Sequence, residues 1–153
     1  MLEGRRNAGM SVVQHTRPGA ECDSDLFHCD RATLVRVARL DDVLGMDAEP
    51  VCLAKMDVEG LELQVIRGAL ETLRSRTIRA LHLEWWPPHL IAQGEEPVEL
   101  LWLLHALKFE IFAPARWFDK NKTPDRRWAM VVPEQFPWLL MHWGDIVARA
   151  VDW

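Results

Sequence analysis

The segment from Val51 to Leu73 changes from the hydrophobic period of a strand to that of a helix. Its first six residues form an almost continuous apolar run, which is typical of a parallel strand covered on both faces. After Gly60, apolar residues recur at three- and four-residue spacing, as in an amphipathic helix. The pattern predicts a strand from Val51 to Met56 and a helix from about Leu61 to Arg74. A strand followed directly by a helix is half of a βαβ unit.

The rest of the chain continues this alternation. Ile78 to Trp85 predicts a second buried strand, parallel to the first and beside it, because the intervening helix returns the chain to the same end. Pro97 opens a leucine-rich helix that runs to about Leu107. Two strands, Phe109 to Ala113 and Trp128 to Val132, predict an antiparallel hairpin.

Both ends of the chain differ from this core. Residues 1–31 read as loop, with one weak strand at Met10 to Gln14. The next segment, Thr33 to Val37, predicts a strand, and it is followed by a helical turn that ends at Gly45. Residues 137–153 predict an amphipathic carboxy-terminal helix that covers the sheet or contacts a second copy of the chain. We therefore expect one domain, with a core at 32–136.

Three carboxylates lie where the predicted strands end. Asp57 and Glu59 belong to the turn after the first strand, and Glu84 closes the second. Ligands of open α/β sheets bind at the carboxyl ends of the strands, where a carboxylate can orient a hydroxyl, accept its proton or hold a metal. An alternative stays open, because Asp is also a favoured helix cap and acidic residues oppose the helix dipole.

Histidine and tryptophan side chains flank the same edge, and each has two readings. His82 and His89 are either packed structural residues or general bases. Trp85 and Trp86 either line a substrate pocket or cover the sheet edge. A polar loop between the hairpin strands is either solvated or meets an anionic substrate, through Arg116, Lys120, Lys122, Arg126 and Arg127.

Composition narrows the class of protein. The chain has 153 residues, 49% of them hydrophobic, and a formal net charge of −5. With no long basic cluster, we expect no nucleic-acid partner. We also expect a cytoplasmic protein without a membrane anchor, since no apolar stretch is long enough to span a bilayer. An odd number of cysteines, three, fits a reducing compartment. A zinc site would need Cys22, His28 and Cys29, with His15 as a fourth ligand. Their spacing matches no familiar zinc pattern, so we predict no metal.

Three runs, ARLDDVLG, KMDVEGLELQVIRGALETL and IRALHLEWW, closely resemble the FkbM family of S-adenosylmethionine-dependent methyltransferases. The resemblance implies part of a Rossmann-like class I methyltransferase sheet, mostly parallel and closed by an antiparallel hairpin. It also implies methyl transfer to a hydroxyl oxygen of a sugar or other small metabolite. In that family setting Asp57 lies beside the cofactor and the acceptor, while Glu59 and Glu84 orient the acceptor or accept its proton.

The chain departs from the family pattern in a minor way at Leu61, where the family usually has a small residue. Its major departure is that it contains no GxGxxG-like or DxGxxxG-like glycine loop. The resemblance places that loop upstream, so we expect an amino-terminally truncated domain that binds S-adenosylmethionine weakly or not at all. We also expect exposed apolar surface along the strand from Val51, where the missing first strand would pair. The alternative function is a non-catalytic fragment or interaction module.

Overall fold

A single sheet with helices between its strands organises the computed structural model, which describes residues 36–45, 48–118 and 127–151. The predicted strand at Met10 to Gln14, the cysteine and histidine set at residues 15–29, and residues 119–126 of the polar loop lie outside the described ranges. The helices are α1 (Leu40–Leu44), α2 (Glu62–Arg67), α3 (Leu70–Arg74), α4 (Pro87–Ala92), α5 (Pro97–Ala106) and α6 (Phe136–Leu139). The strands are β1 (Ala54–Met56), β2 (Ala80–Trp85), β3 (Phe109–Pro114), β4 (Trp128–Val131) and β5 (Gly144–Ala150).

The sheet is mixed, with the strand order β1-β2-β5-β3-β4. The predicted parallel pairing of β1 with β2 is confirmed, and so is the antiparallel β3–β4 hairpin. The expectation of a mostly parallel sheet is wrong, because β5 runs antiparallel to both of its neighbours, β2 and β3. It follows from these pairings that β1, β2 and β3 point in the same direction, with β5 inserted in reverse.

The carboxy-terminal helix predicted for residues 137–153 is also wrong. In its described part, residues 137–151, only the short α6 is helical, and Gly144–Ala150 forms β5 in the interior of the sheet. Ile146, Ala148 and Ala150 are buried while the residues between them are not, which is the two-residue period of a strand. A subunit interface on such a helix therefore has no basis in this fold.

The helix predicted from Leu61 to Arg74 forms as two, α2 and α3, which are separated at Gly68 and Ala69. Asp41 of α1 supplies the cap for α3 from a distance. Its carboxylate accepts hydrogen bonds from the backbone amides of Glu71 (3.3 Å) and Thr72 (2.9 Å) and from the Thr72 hydroxyl (2.9 Å). Amides in the first turn of a helix lack intrahelical partners, so this carboxylate satisfies two of them.

The other local predictions have mixed outcomes. The helical turn ending at Gly45 and the helix beginning at Pro97 are confirmed. The predicted strand over residues 33–37 is absent from its described part, residues 36 and 37. The Trp86-Pro87-Pro88 turn is in fact the start of α4, with Pro87 in the first turn, where its missing N–H costs nothing.

The hydrophobic core lies on one face of the sheet. Strand residues such as Met56, Leu83 and Ile146 alternate onto that face and pack with fully buried leucines of α2, α3 and α5. Each such leucine contributes about 1.5–3 kcal/mol by leaving water. The opposite face carries polar and half-buried side chains.

Strand β1 is the edge strand of the described sheet, and it is not covered on both faces as the sequence suggested. Leu53, just before it, is 57% exposed. Exposed apolar surface at this edge was expected and is confirmed for Leu53. No helix within the described ranges is long and apolar enough to cross a membrane.

Candidate active site

The parallel register of β1 and β2 brings two of the predicted site residues together. Lys55 pairs with His82 and Met56 with Leu83, so Asp57 follows next to Glu84. Glu84 in turn pairs with Asp145 of β5. Directly paired residues point to the same face, and here it is the face opposite the core. The expectation that Asp57 and Glu84 meet at one edge of the sheet is confirmed.

The pKa values of Asp57 and Glu84 are shifted in opposite directions, although the two carboxyl groups are neighbours. The Lys55 ammonium donates a 2.8 Å hydrogen bond to Asp57 and lowers the pKa of that carboxyl. Burial, followed by the charge of Asp57 and a hydrogen bond with it, raises the pKa of Glu84. Two adjacent carboxyl groups resist double ionisation. The pair therefore keeps its negative charge on Asp57 and gains a proton first on Glu84.

Asp57 is not the helix cap that the alternative reading proposed. The residue before α2 is Leu61, whose side chain makes no capping bond, and Asp57 bonds Lys55 instead. The buried carboxylate of Glu62 accepts from the backbone amides of Val58 and Gly60, both at 3.3 Å. Sequence reasoning missed Glu62, although an acidic residue in the first turn that reaches back to upstream amides resembles half of a capping box.

Glu59 lies on the other side of the turn and faces α4. Its Oε2 is 3.2 Å from Nδ1 of His89. That nitrogen atom is fully buried and has no partner in hydrogen-bond geometry. Glu59 itself has a φ of 53°, which is uncommon for a residue other than glycine. The next residue, Gly60, has a φ of 97°, and a Cβ built there would lie 2.5 Å from the carbonyl oxygen of His89. The turn and the first part of α4 are thus in direct backbone contact.

The two tryptophans at the end of β2 have different positions. Trp85 belongs to the core and donates through Nε1 to the carbonyl of Leu139 at 2.9 Å, so the pocket-lining reading is wrong for it. Trp86 is 36% exposed. Its ring lies 5.6 Å from that of His89 and 5.9 Å from that of Trp143, centroid to centroid. These three rings form one cluster, which contacts Glu59 through His89.

The remaining candidates lie farther from the turn. His82 is in the middle of β2, with Nε2 3.4 Å from a carboxylate oxygen of Asp145. Arg116 and Arg127 are exposed, and the other loop cations, Lys120, Lys122 and Arg126, fall outside the described residues. Within the described ranges no group of three His, Cys, Asp or Glu side chains is placed to hold a metal ion.

Comparison with known proteins adds a family to this geometry. The model of the methyltransferase FkbM domain matches residues 14–111. The match contains β1, β2 and all three predicted site carboxylates, Asp57, Glu59 and Glu84, whereas β4 and β5 lie beyond it. Searches of curated proteins and of solved structures found no match. Because the matched residues make up more than half of the chain, this protein belongs to the methyltransferase FkbM domain family.

Proposed function

We propose that the protein transfers a methyl group from S-adenosylmethionine to a hydroxyl oxygen of a sugar or other small metabolite. The observation that carries the proposal is the Asp57–Glu84 pair at the carboxyl end of β1 and β2, within a methyltransferase family domain. The side chain of Asp57 is 43% exposed and is therefore within reach of a ligand. Ligands of α/β sheets bind at this end of the strands.

The charge of the site suits the cofactor that the family implies. S-adenosylmethionine carries a positive sulfonium and an ammonium group beside one carboxylate, and the acidic side chains of Asp57 and Glu59 lie at this end of the strands together with Lys55. The cofactor would supply an electrophilic methyl group, and Asp57 is the residue we assign to holding it. Because the sequence has no glycine-rich loop, we expect low affinity.

The protein's own contribution is to orient the acceptor and to receive a proton. As the acceptor oxygen bonds to the methyl carbon, its O–H bond breaks and the proton leaves. Asp57, which Lys55 keeps ionised, accepts a hydrogen bond from the hydroxyl and aims its lone pair. Glu84, whose pKa is raised by burial and by the charge of Asp57, lies beside that carboxylate and limits where it can move. Such positioning accounts for much of the rate enhancement in group transfer.

The test is methyl transfer measured at millimolar cofactor, so that weak binding does not conceal activity. We expect Asp57→Asn to lower turnover by about 100-fold, the low end of the range for a lost catalytic group. Its unfolding free energy should change by less than about 0.5 kcal/mol, as for other exposed sites. Asp42→Asn, at an exposed position on α1, is the matched control and should leave turnover unchanged. Full activity of Asp57→Asn would remove that residue from the site.

The second candidate is a non-catalytic interaction module, which the exposed edge at β1 favours. An edge strand presents unpaired backbone groups to any strand that can add to it. This reading predicts that the chain shows no methyl transfer even at saturating cofactor and associates as its concentration rises. Light scattering over a concentration series, run beside the activity assay, separates the two functions.

A further inference from the structure

We propose that His89 accepts the proton of the acceptor hydroxyl and that Glu59 is the residue that positions it. This inference rests on the proposed function and names the base for its reaction. The Glu59 Oε2 lies 3.2 Å from Nδ1 of His89, and that nitrogen is buried, whereas the side chain as a whole is 26% exposed. The accessible part of the ring therefore lies away from Glu59.

The neighbouring carboxylates are poorer choices for the base. Asp57 is held ionised by Lys55, so its oxygen has a low proton affinity. Burial and the charge of Asp57 raise the pKa of Glu84 and favour its protonated form, which cannot accept a further proton. A histidine with a carboxylate 3.2 Å from one nitrogen has its other nitrogen available to accept a proton, and the carboxylate then stabilises the imidazolium that forms.

The backbone around the pair supports a positioning role for Glu59. A φ of 53° lies in the left-handed region, which is unfavourable for a residue with a side chain. Such strain persists only where the surroundings enforce it, and it concentrates at functional sites. Here the close contact of Gly60 with the His89 carbonyl fixes α4 against the turn, which keeps the carboxylate beside the ring.

His82 is the competing histidine, and its place in the fold argues against it. It lies inside β2, two residues before Glu84, whereas His89 follows the end of that strand. Its Nε2 faces Asp145 of the neighbouring strand β5 at 3.4 Å, rather than the turn after β1. His89 instead lies in α4, just beyond the end of β2 where the acceptor is proposed to bind.

In the proposed step the acceptor O–H bond breaks, the oxygen forms its new bond to the methyl carbon, and the proton passes to Nε2 of His89. The sulfur of S-adenosylmethionine keeps the electron pair of the broken S–C bond and becomes a neutral thioether. Nδ1 must carry the proton in the resting enzyme, on the side of Glu59, so that Nε2 has a free lone pair. The tautomer of His89 is thus a direct readout that does not depend on activity.

The experiment is nitrogen–proton correlation spectroscopy of the full chain at a pH where the ring is neutral. The His89 signal is assigned among the six histidines by its loss in His89→Gln. We expect the Nδ1–H tautomer in the wild type and a shift toward Nε2–H in Glu59→Ala. A wild-type His89 with its proton on Nε2 overturns the proposal, whatever the activity.

The second test is the kcat of histidine variants. His89→Gln should lower kcat by about 100-fold or more, as expected for loss of a general base, with less than about a twofold change in cofactor Kd. His105→Gln is the control, since that histidine is exposed on α5 and contacts the rings of Trp102 and Phe136. Unchanged kcat in a folded His89→Gln, or a loss in His82→Gln instead, overturns the proposal. A wild-type chain without methyl transfer at saturating cofactor refutes the proposed function, and the role of His89 as base with it.

Discussion

Gly60 is the position at which one added methyl group tests how tightly the acidic turn is built. Its φ of 97° is unfavourable for any other residue, and a Cβ there would lie 2.5 Å from a backbone oxygen of His89. The backbone strain costs about 1–2 kcal/mol. Forcing the carbonyl away adds about 1–3 kcal/mol, as overpacking does elsewhere. We therefore expect Gly60→Ala to destabilise the protein by about 2–5 kcal/mol.

Gly94 provides the matched control, because its φ is 79° and a Cβ there would meet nothing within 4 Å. Gly94→Ala should carry the strain without the collision, so it should be more stable than Gly60→Ala by about 1–3 kcal/mol. For a chain of this size each kcal/mol lowers Tm by roughly 2–4 °C. Urea unfolding of the two variants measures the difference. Equal stability would refute the close packing of α4 on the turn.

Two further predictions concern ionisable groups. Asp41→Ala should lower stability by about 2 kcal/mol, because a hydrogen-bonded carboxylate is lost from the start of α3, whereas exposed Asp42→Ala should change it little. Burial raises the pKa of Asp41, but the bonds from Thr72 outweigh it and the net pKa is lowered. The stability difference in urea should therefore be complete above about pH 4, the unfolded value, and shrink as the pH falls further; a constant difference would contradict this. Glu84→Gln should gain stability relative to the wild type as the pH rises above about 4, because burial and Asp57 raise the pKa of Glu84 and disfavour its charged form. Urea unfolding at a series of pH values checks the trend, and a flat difference would rule it out.

The strand, turn and helix around Asp57 were predictable because the local signals agree. The hydrophobic period changes at Gly60, and acidic and glycine residues occupy the turn between the two periods. The meeting of Asp57 with Glu84 followed from topology alone, since parallel neighbours end at the same edge. What could not be predicted was which group each acidic side chain contacts. An acidic residue in the first turn of a helix hints at the role of Glu62, but nothing in the sequence indicates that Glu59 faces His89.

Strand β5 was missed for a different physical reason. The run Ile146 to Ala150 is short and mostly apolar, and such runs are compatible with either period. Its conformation is decided by long-range pairing with β2 and β3, which no local pattern reports. The alternation of Asp145 and Arg149 with buried residues was the available signal.

The geometry of the site is a consequence of how the core is packed. Successive strand residues point to opposite faces, so burying Met56, Leu83 and Trp85 obliges their neighbours Asp57 and Glu84 to face the other way. A slip of one residue in any of these strands would move the carboxylates into the core and an apolar row into the open, at a cost of several buried side chains. The relative positions of the acidic groups are therefore held by the apolar side of the sheet. We therefore expect substitutions that loosen the packing of the apolar face to lower activity by displacing the carboxylates, although the substituted residues do not contact the substrate.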